Sequence, residues 1–327
     1  MVVTGSVAFD YLMRFPGHFV EHLIPDRLKR LSVSFLVDEM RRVPGGCGPN
    51  IAYGLALLGE RALLLASAGS DAAAYRDALE AAGVDVSGLV LHADLFTASF
   101  FVSTDRDQNQ IASFYTGAMA RARELSIADT GAGPDSLVVI SPNDPEAMDR
   151  YADECRRLAV PFLYDPSQQV ARLSGEQLLA GIRGAAMLIA NDYEIGIVSQ
   201  KTGLSDEELE DLVPVLVSTH GAQGSTISVR GPRGRERHAI PAAPLEGAAL
   251  DPTGVGDAFR AGLVRGMRRG IPWDVAGRMG SVAAALGLEA VGPQPPAYDV
   301  EDFISRYERG FGPEPRLERI RARSGAG

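Results

Sequence analysis

The residues best suited to carry chemistry lie in one short segment, residues 251–259, which reads Asp-Pro-Thr-Gly-Val-Gly-Asp-Ala-Phe. Gly254 and Gly256 precede Asp257, which begins a predicted helix. Glycines let successive amide N–H groups converge without a Cβ in the way, and a helix N-terminus adds unpaired donors and a partial positive charge. The segment therefore predicts a cradle for a transferring phosphoryl group, in which Asp257 takes the proton of the attacking hydroxyl. Gly-x-Gly-Asp alone fits a loop and an Asp-capped helix equally well.

Strands and helices alternate from about residue 136 onward, and the helix at 257–269 is part of this alternation. The predicted strands lie at 137–141, 161–165, 186–190, 213–218 and 225–229. The other predicted helices lie at 145–158, 175–183, 205–212 and 274–289. Such alternation is typical of a largely parallel sheet that helices cover on both faces.

The first third of the chain contains β-like runs that fit a second, smaller sheet. These runs are 31–37, 97–104 and 110–115, and the last two predict a hairpin. We expect an α/β core formed by residues 1–9, 46–94 and 118–312. We expect a discontinuous β lid formed by residues 10–45 and 95–117. Residues 313–327 are polar and end in small residues, which predicts a flexible tail.

Composition and charge exclude several classes of function. The formal net charge of the 327 residues is −10, and we see no basic stripe, so binding to nucleic acid or to an anionic membrane is not predicted. Charges such as Glu60 and Arg61 break the apolar stretches, so no segment is predicted to span a bilayer. The two cysteines, Cys47 and Cys155, lack metal-ligand spacing, and the cytoplasm is the predicted location.

Residues 251–259 resemble the C-terminal signature of the ribokinase-like (PfkB) carbohydrate and nucleoside kinases. Gly45 and Gly46, followed by Asn50, resemble the N-terminal signature, and residues 191–194 resemble the family's Asn-x-x-Glu motif. A finer similarity, to bacterial adenosine kinases, is carried by Ser6, Asp10 and the segments 13–17, 34–37, 111–115, 143–148 and 165–169. The resemblance implies a ribokinase-like fold: a three-layer α/β/α core with a mostly parallel central sheet and a small β-sheet lid.

The resemblance also implies a nucleoside site. Asp10 would hold two ribose hydroxyls, since a carboxylate accepts two hydrogen bonds, and Gly46 and Asn50 would be further ribose contacts. The remaining implied substrate-binding residues line the pocket (Ser6, Ser34), sandwich the purine (Phe100, Phe114) or lie near the base (Gln168, Gln169). Without the resemblance, Asp10 would be interpreted as a solvent-facing strand end, Asn50 as a helix cap and the phenylalanines as core residues.

The implied catalytic set is Asp257, Gly254, Gly256 and Arg172, whose guanidinium would counter phosphate charge. The implied ATP-binding residues are Asn191 and a Thr-x-Gly-x-x-Gly loop formed by Thr219, Gly221 and Gly224. Glu194 would bind Mg²⁺ through water, because Mg²⁺ keeps most of its own waters. An exposed acid in a strand-exit loop is the alternative for Glu194.

Two departures from the family pattern bear on these roles. His220 stands in the ATP loop where an apolar residue is usual, and Cys47-Gly48-Pro49 replaces the usual small residues before Asn50. Proline is tolerated at a helix start, so we expect a change of shape there rather than lost function.

The pattern and the resemblance together predict an ATP- and Mg²⁺-dependent adenosine kinase, which transfers phosphate in line to the ribose 5′-hydroxyl with Asp257 as base. A kinase for guanosine, inosine or cytidine, or a sugar kinase of the same family, remains an alternative. A ligand-binding pseudoenzyme is an alternative from another class, and the intact Asp257 argues against it. The expected partners are a nucleoside and ATP, and edge pairing of lid sheets would give a homodimer.

Overall fold

The computed structural model describes residues 1–22, 32–107, 109–232 and 234–321. The strands of this part of the chain form two separate sheets. In chain order they are β1 (Val2–Thr4), β2 (Ala8–Arg14), β3 (Glu39–Gly45), β4 (Leu63–Gly69), β5 (Leu89–His92), β6 (Ala98–Thr104), β7 (Gln110–Tyr115), β8 (Val138–Ile140), β9 (Phe162–Tyr164), β10 (Met187–Asn191), β11 (Val215–Thr219), β12 (Ser225–Gly231) and β13 (Gly234–Ile240).

The larger sheet has nine strands in the order β13-β12-β11-β10-β9-β8-β1-β4-β5. Its neighbours pair in parallel from β11 through β5. Only β12 and β13 are antiparallel additions at one edge. Central strands such as β1 and β8 are buried along their whole length, which is the expected state of a parallel strand covered on both faces.

Helices cover both faces of this sheet. They are α2 (Cys47–Leu57), α3 (Ala73–Ala81), α4 (Pro145–Arg157), α5 (Gly175–Ile182), α6 (Asp192–Thr202), α7 (Asp206–Leu212), α8 (Val255–Arg268), α9 (Trp273–Leu288), α10 (Val300–Phe311) and α11 (Glu318–Arg321). The short helix α1 (Phe19–His22) follows β2 instead, and its Phe19 stacks on Phe15. Within the described ranges, none of these helices has the length and apolar character needed to cross a membrane.

Alternate residues of the central strands belong to two different cores. Val139 packs in a core with residues of α2, α3 and α8 to α11, whereas Val138 and Ile140 pack in a core with residues of α4 to α7. Because successive strand residues point to opposite faces, the two cores are the two outer interfaces of a three-layer structure. The predicted α/β/α core with a mostly parallel sheet is confirmed.

The smaller sheet has four strands in the order β3-β2-β6-β7, and all four overlap the segments expected to form the lid. The strand predicted at 31–37 is wrong for residues 32–37, which are irregular, and residue 31 lies outside the described ranges. Pairing begins only at Glu39, opposite Arg14. The alternating sequence before Glu39 has no strand to pair with, because β2 ends at Arg14.

The expectation of a flexible tail from residue 313 is wrong for the described part of that segment. Leu317 and Ile320 are 1% and 0% exposed and belong to the main core. The guanidinium of Arg265 donates from Nη2 to the backbone oxygen of Ile320 at 2.9 Å. The segment is polar overall, but Leu317 and Ile320 are three residues apart and so lie on one face of a helical turn. The overall composition does not reveal this pair. Residues 322–327 lie outside the described ranges.

Candidate active site

Most of the predicted site residues line one cavity of about 570 Å³. Several of them lie at or shortly after the carboxyl ends of strands of the large sheet: Ser6 comes after β1, Gln168 lies in the 3-10 turn after β9, and Thr219 ends β11. The carboxyl ends of parallel strands meet at one edge of a sheet, which is where ligands of open α/β folds bind. The predicted residues that line this first cavity are Ser6, Asp10, Gly46, Asn50, Phe100, Phe114, Gln168, Gln169, Arg172, Asn191, Glu194, Thr219, Gly254, Gly256 and Asp257.

The first turn of α8 opens into this cavity. Gly254 caps the helix with φ of 75° and without a capping side chain. A Cβ on Gly254 would lie 2.6 Å from Cβ of Pro293, so both its φ and its surroundings require glycine. Because no side chain caps it, the start of α8 has the character of an anion-binding helix end, and its role as a phosphoryl cradle stays a prediction.

Asp257 lies in this first turn, and its side chain is nearly buried at 9% exposure. Its Oδ2 accepts a hydrogen bond of 2.9 Å from Nδ2 of Asn50. Burial, which the Arg260 charge and the Asn50 hydrogen bond oppose, raises the pKa of Asp257 to about 6. A carboxylate with this pKa is ionised at pH 7 and still basic enough to accept a proton.

Asn50 reaches Asp257 from inside α2. The cap of α2 is Gly46, with φ of 97°, so the alternative of Asn50 as a helix cap is wrong. A Cβ on Gly46 would lie 2.2 Å from the backbone oxygen of Ser6, which explains why glycine is needed there. Pro49 lies in the first turn of α2, where proline is tolerated, and the helix forms despite this departure from the family pattern.

Arg260 is a cavity residue that the sequence interpretation missed. Its guanidinium pairs with the Asp165 carboxylate through Nε, and Nη2 donates to Asp165 Oδ1 at 2.7 Å and to Ser167 Oγ at 2.9 Å. Arg260 lies three residues after Asp257 and therefore on the same face of α8. This spacing is the sequence feature that could have identified it. Arg260 thereby ties the loop after β9 to the helix that carries Asp257. The other lining residues that the interpretation did not single out for this site are Ala8, Cys47, Met119, Ser167 and Thr253.

The small sheet supplies one wall of the cavity. Asp10 pairs with Phe100, and Phe100 pairs with Phe114, in direct register across β2, β6 and β7. Directly opposite residues of neighbouring strands project from the same face, so the three side chains form one row. We call this face of the lid sheet, with Asp10, Phe100 and Phe114, the lid wall. A purine held between the two rings stays a prediction. Burial and the nearby negative charge of Asp251 raise the pKa of Asp10 to about 6.

Arg172 lies beside the lid, and Ser34 lies outside the cavity. Arg172 lines the cavity, but the centre of its guanidinium lies 5.8 Å from the Phe114 ring centroid, so it contacts the lid wall. Ser34 is exposed and does not line the cavity, so the structure does not bring it to the site. It belongs to the irregular segment before β3, which no strand pairing holds in place.

A second cavity of about 660 Å³ adjoins the first. Gly221 and Gly224, from the predicted ATP loop between β11 and β12, line it together with small residues of α9 such as Ala284. Gly224 has φ of 91°, and a Cβ there would lie 2.0 Å from the backbone oxygen of Ile240. Asn191, Thr219 and Gly256 line both cavities. The two cavities therefore meet at the first turn of α8, beside Asp257.

Asn191 and Glu194 form a reciprocal cap at the start of α6. The backbone N–H of Asn191 donates to Glu194 Oε2, and the backbone N–H of Glu194 donates to Asn191 Oδ1, both at 2.8 Å. Burial raises the pKa of Glu194. The carboxylate is thus held at the cavity wall rather than exposed in a loop, and it supplies the oxygen ligand type that Mg²⁺ prefers.

Comparison with known proteins places this geometry in a family. The family model for pfkB family carbohydrate kinases matches residues 4–299. A nucleoside kinase of Methanothermobacter thermautotrophicus is 31% identical over 320 residues, which cover 97% of this chain and 98% of the relative.

Solved structures agree with this assignment. Burkholderia thailandensis nucleoside kinase in complex with inosine is 35% identical with a TM-score of 0.82, covering 96% of this chain and 98% of that one. Its structure in complex with ADP-inosine is 36% identical with a TM-score of 0.80, covering 96% and 97%. Ribokinase of Thermotoga maritima, at 20% identity and a TM-score of 0.77 over 94% of this chain and 98% of that one, shows the fold alone.

Proposed function

The chain belongs to the pfkB family of carbohydrate kinases, and we propose that it is an ATP-dependent nucleoside kinase with Asp257 as its catalytic base. As a member of this family it is a phosphotransferase that acts on an alcohol. One observation carries the proposal: two cavities meet at the glycine-lined first turn of α8, where a buried carboxylate lies. We assign the first as the acceptor cavity and the second as the donor cavity.

In the proposed reaction, the nucleoside lies against the lid wall with its ribose toward Asp10, whose carboxylate accepts hydrogen bonds from the two ring hydroxyls. Asp257 accepts the proton of the 5′-hydroxyl as this oxygen attacks the γ-phosphorus of ATP in line. The amides at the start of α8 stabilise charge on the transferred group. The products are the nucleoside 5′-monophosphate and ADP.

Three of the predicted site residues have auxiliary roles in this proposal. Arg172, which now contacts Phe114, would counter phosphate charge after the lid closes. Glu194 and Asn191 would hold Mg²⁺, with Glu194 acting through water because Mg²⁺ keeps most of its hydration shell. When bound, Mg²⁺ neutralises charge on the phosphates.

The acceptor is proposed to be a purine nucleoside. Phe100 and Phe114 offer a flat apolar surface of a size that suits a base, and a bare sugar would leave this surface exposed. Adenosine is the preferred candidate on the sequence resemblance. Inosine is the second candidate, because the Burkholderia thailandensis kinase was solved in complex with it. The side-chain amide of Gln169, buried at the cavity wall, has both a donor and an acceptor and suits either base.

A panel of acceptors tests this proposal. Initial rates with ATP are measured for adenosine, inosine, guanosine, cytidine and ribose, and product is identified as the 5′-monophosphate. We expect kcat/KM for adenosine or inosine to exceed that for ribose by at least about tenfold, the value of one stacked base. A higher kcat/KM for ribose than for every nucleoside would contradict the substrate class while leaving the family assignment intact.

The proposal includes a cytoplasmic location and a homodimer formed through the lid. The lid sheet ends in β3 and β7 within the described residues, and β7 is exposed along its whole length. Such an edge can pair with a second copy. Light scattering on the purified protein gives the mass directly, and a monomer at assay concentration would contradict this part of the proposal.

A further inference from the structure

We propose that Gln294 is a positioning residue for the catalytic base and acts through Asn50. This rests on the proposed function, since it concerns the same reaction. Gln294 lies between α9 and α10, and it lines neither of the two cavities. No motif in the sequence drew attention to it.

Gln294 belongs to a continuous set of hydrogen bonds that ends at Asp257. Its Nε2 donates to Asn50 Oδ1 at 3.2 Å and to the Tyr75 hydroxyl oxygen at 2.7 Å. Asn50 Nδ2 then donates to Asp257 Oδ2 at 2.9 Å. At the other end, the Tyr75 hydroxyl donates to the backbone oxygen of Gly45 at 3.2 Å.

The two ends of this set fix the direction of every bond between them. The Gly45 carbonyl and the ionised Asp257 carboxylate can only accept. Tyr75 has a single proton, which burial keeps in place by raising its pKa. Because that proton goes to Gly45, the Tyr75 oxygen accepts from Gln294. The second amide proton of Gln294 is then available for Asn50 Oδ1, so Asn50 Nδ2 faces Asp257.

A flipped Asn50 amide would place its carbonyl oxygen against the Asp257 carboxylate. Two acceptors without a proton between them repel, and the buried oxygens would lose their hydrogen-bond partners. Gln294 disfavours the flip, since it would then donate to an NH₂ group that cannot accept. Gln294 therefore fixes the orientation of the amide that holds the base.

The segment around Gln294 is itself held against both helices of the site. The Tyr53 hydroxyl of α2 donates to the backbone oxygen of Pro295 at 2.9 Å. Pro293 lies against Gly254, where an added Cβ would approach within 2.6 Å. Gly45, at the far end of the hydrogen-bonded set, is the last residue of lid strand β3. The set thus connects the lid edge, through Gln294, to the base.

The test is a double-mutant cycle on kcat at saturating ATP and nucleoside. Wild type, Gln294→Met, Asn50→Ala and the double variant are compared, since methionine keeps the length of glutamine and lacks its donors. We expect Gln294→Met to lower kcat about tenfold, the equivalent of about one net hydrogen bond. We expect KM for the nucleoside to change less than about threefold, and Gln294→Met to have no further effect when Asn50 is alanine.

A pH profile separates positioning from simple packing. The Asn50 hydrogen bond favours the ionised form of Asp257, so its loss raises the pKa of that carboxyl. We expect the acid limb of kcat to move to higher pH in Gln294→Met. The matched control is Gln177→Met, which also removes a side-chain amide that donates to a side chain, Asp149, but lies on α5 outside both cavities. Its kcat and its acid limb should equal those of wild type.

Equal fold losses from Gln294→Met in the presence and absence of Asn50 would overturn the proposal, as would an unchanged kcat or an unmoved acid limb. If Gln294→Met does not fold, judged by its thermal transition, Tyr75→Phe replaces it. This variant removes the hydroxyl that orients Gln294, and we expect a loss of about threefold that is likewise absent without Asn50. Additive losses or unchanged kcat would contradict the proposal here too.

Failure of the proposed function has a different signature. It would appear in the wild type, as absent phosphorylation of every nucleoside. The cycle is then run with whichever alcohol the wild type does phosphorylate, since the Gln294, Asn50 and Asp257 contacts do not depend on the acceptor's identity.

Discussion

The two cavities that meet at α8 are built by different means. In the described residues, the acceptor cavity is lined by five charged side chains, Asp10, Arg172, Glu194, Asp257 and Arg260. The donor cavity has one, Asp192, and is otherwise lined mainly by glycine, alanine and apolar residues such as Phe259 and Leu288. The acceptor side therefore relies on oriented side chains, and the donor side on shape and on backbone exposed by glycine.

This difference has a consequence for how each side tolerates change. A polar network depends on every member, because an unpaired buried group costs more than the net value of its hydrogen bond. A cavity lined by small residues loses its space when one of them is replaced by a larger residue. A substitution that damages one cavity is therefore expected to leave binding in the other cavity unaffected.

The largest effect is expected at the junction of the two cavities. Asp257→Asn keeps the shape of the side chain but removes its capacity to accept a proton, so kcat should fall by at least about 1000-fold, within the range for a general base. Nucleoside affinity, measured by calorimetry, should change less than about threefold, since Asn50 can still donate to the amide oxygen. A kcat within tenfold of wild type would rule out the base assignment.

A second prediction concerns pH. Burial raises the pKa of Asp257 to about 6, and the base works only when ionised, so kcat is fully present above this pKa and is lost as pH falls through it. Between pH 7 and pH 5 we expect about a tenfold decrease in kcat. The pKa of Asp10 is also raised to about 6, and its protonation would raise KM for the nucleoside. The nucleoside is therefore kept at saturating concentration. A flat kcat over this range would contradict the assignment.

The aromatic wall gives a smaller, acceptor-specific effect. Phe114→Ala should raise KM for the preferred nucleoside about tenfold, the value of one stacked base, and leave KM for ATP unchanged. Phe101→Ala is a close control, since Phe101 is 38% exposed against 39% for Phe114 and belongs to the adjacent position of β6, on the opposite face. Similar KM values in both variants would show that the wall does not bind the base.

The smallest effect is expected on the donor side. Ala284→Leu adds atoms to a wall of the donor cavity without harming helix α9, because leucine is a good helix former. We expect KM for ATP to rise about fivefold through overpacking and KM for the nucleoside to stay within twofold. Ala81→Leu, at an exposed site of α3, is the control and should change neither. A rise in nucleoside KM alone would reverse the assignment of the two cavities.

The sequence predicted those parts of the structure that depend on local patterns. The strand and helix alternation after residue 136 predicted the parallel sheet and its helices. Residues 251–259 pointed to the start of α8, where the two cavities meet. The sequence did not predict those features that depend on a contact with a residue far away in the chain. The alternating run at 31–37 is no strand in its described part because β2 ends too early to pair with it. Arg260 and Gln294 matter through contacts with Asp165 and Asn50, which lie 95 and 244 residues away in the chain.

The resemblance also named cavity residues more reliably than it gave their arrangement. It named Phe100 and Phe114 as cavity residues, and both line the cavity. It did not encode their arrangement: the register of β6 and β7 places the two side chains on one face of the lid sheet. Ser34 shows the same limit, because its segment lacks the pairing that would bring it to the cavity. Strand register is a tertiary property that a motif does not encode.

The crystal structure of Asp257→Asn with adenosine and a non-hydrolysable ATP analogue bound together would show whether acceptor and donor meet at residue 257. We predict the adenosine between the Phe100 and Phe114 wall and α2, the analogue's base beside Ala284, and the 5′-oxygen within about 3.2 Å of the residue 257 side chain. A nucleoside whose 5′-oxygen points away from residue 257, or an analogue whose terminal phosphate lies away from the start of α8, would contradict the account.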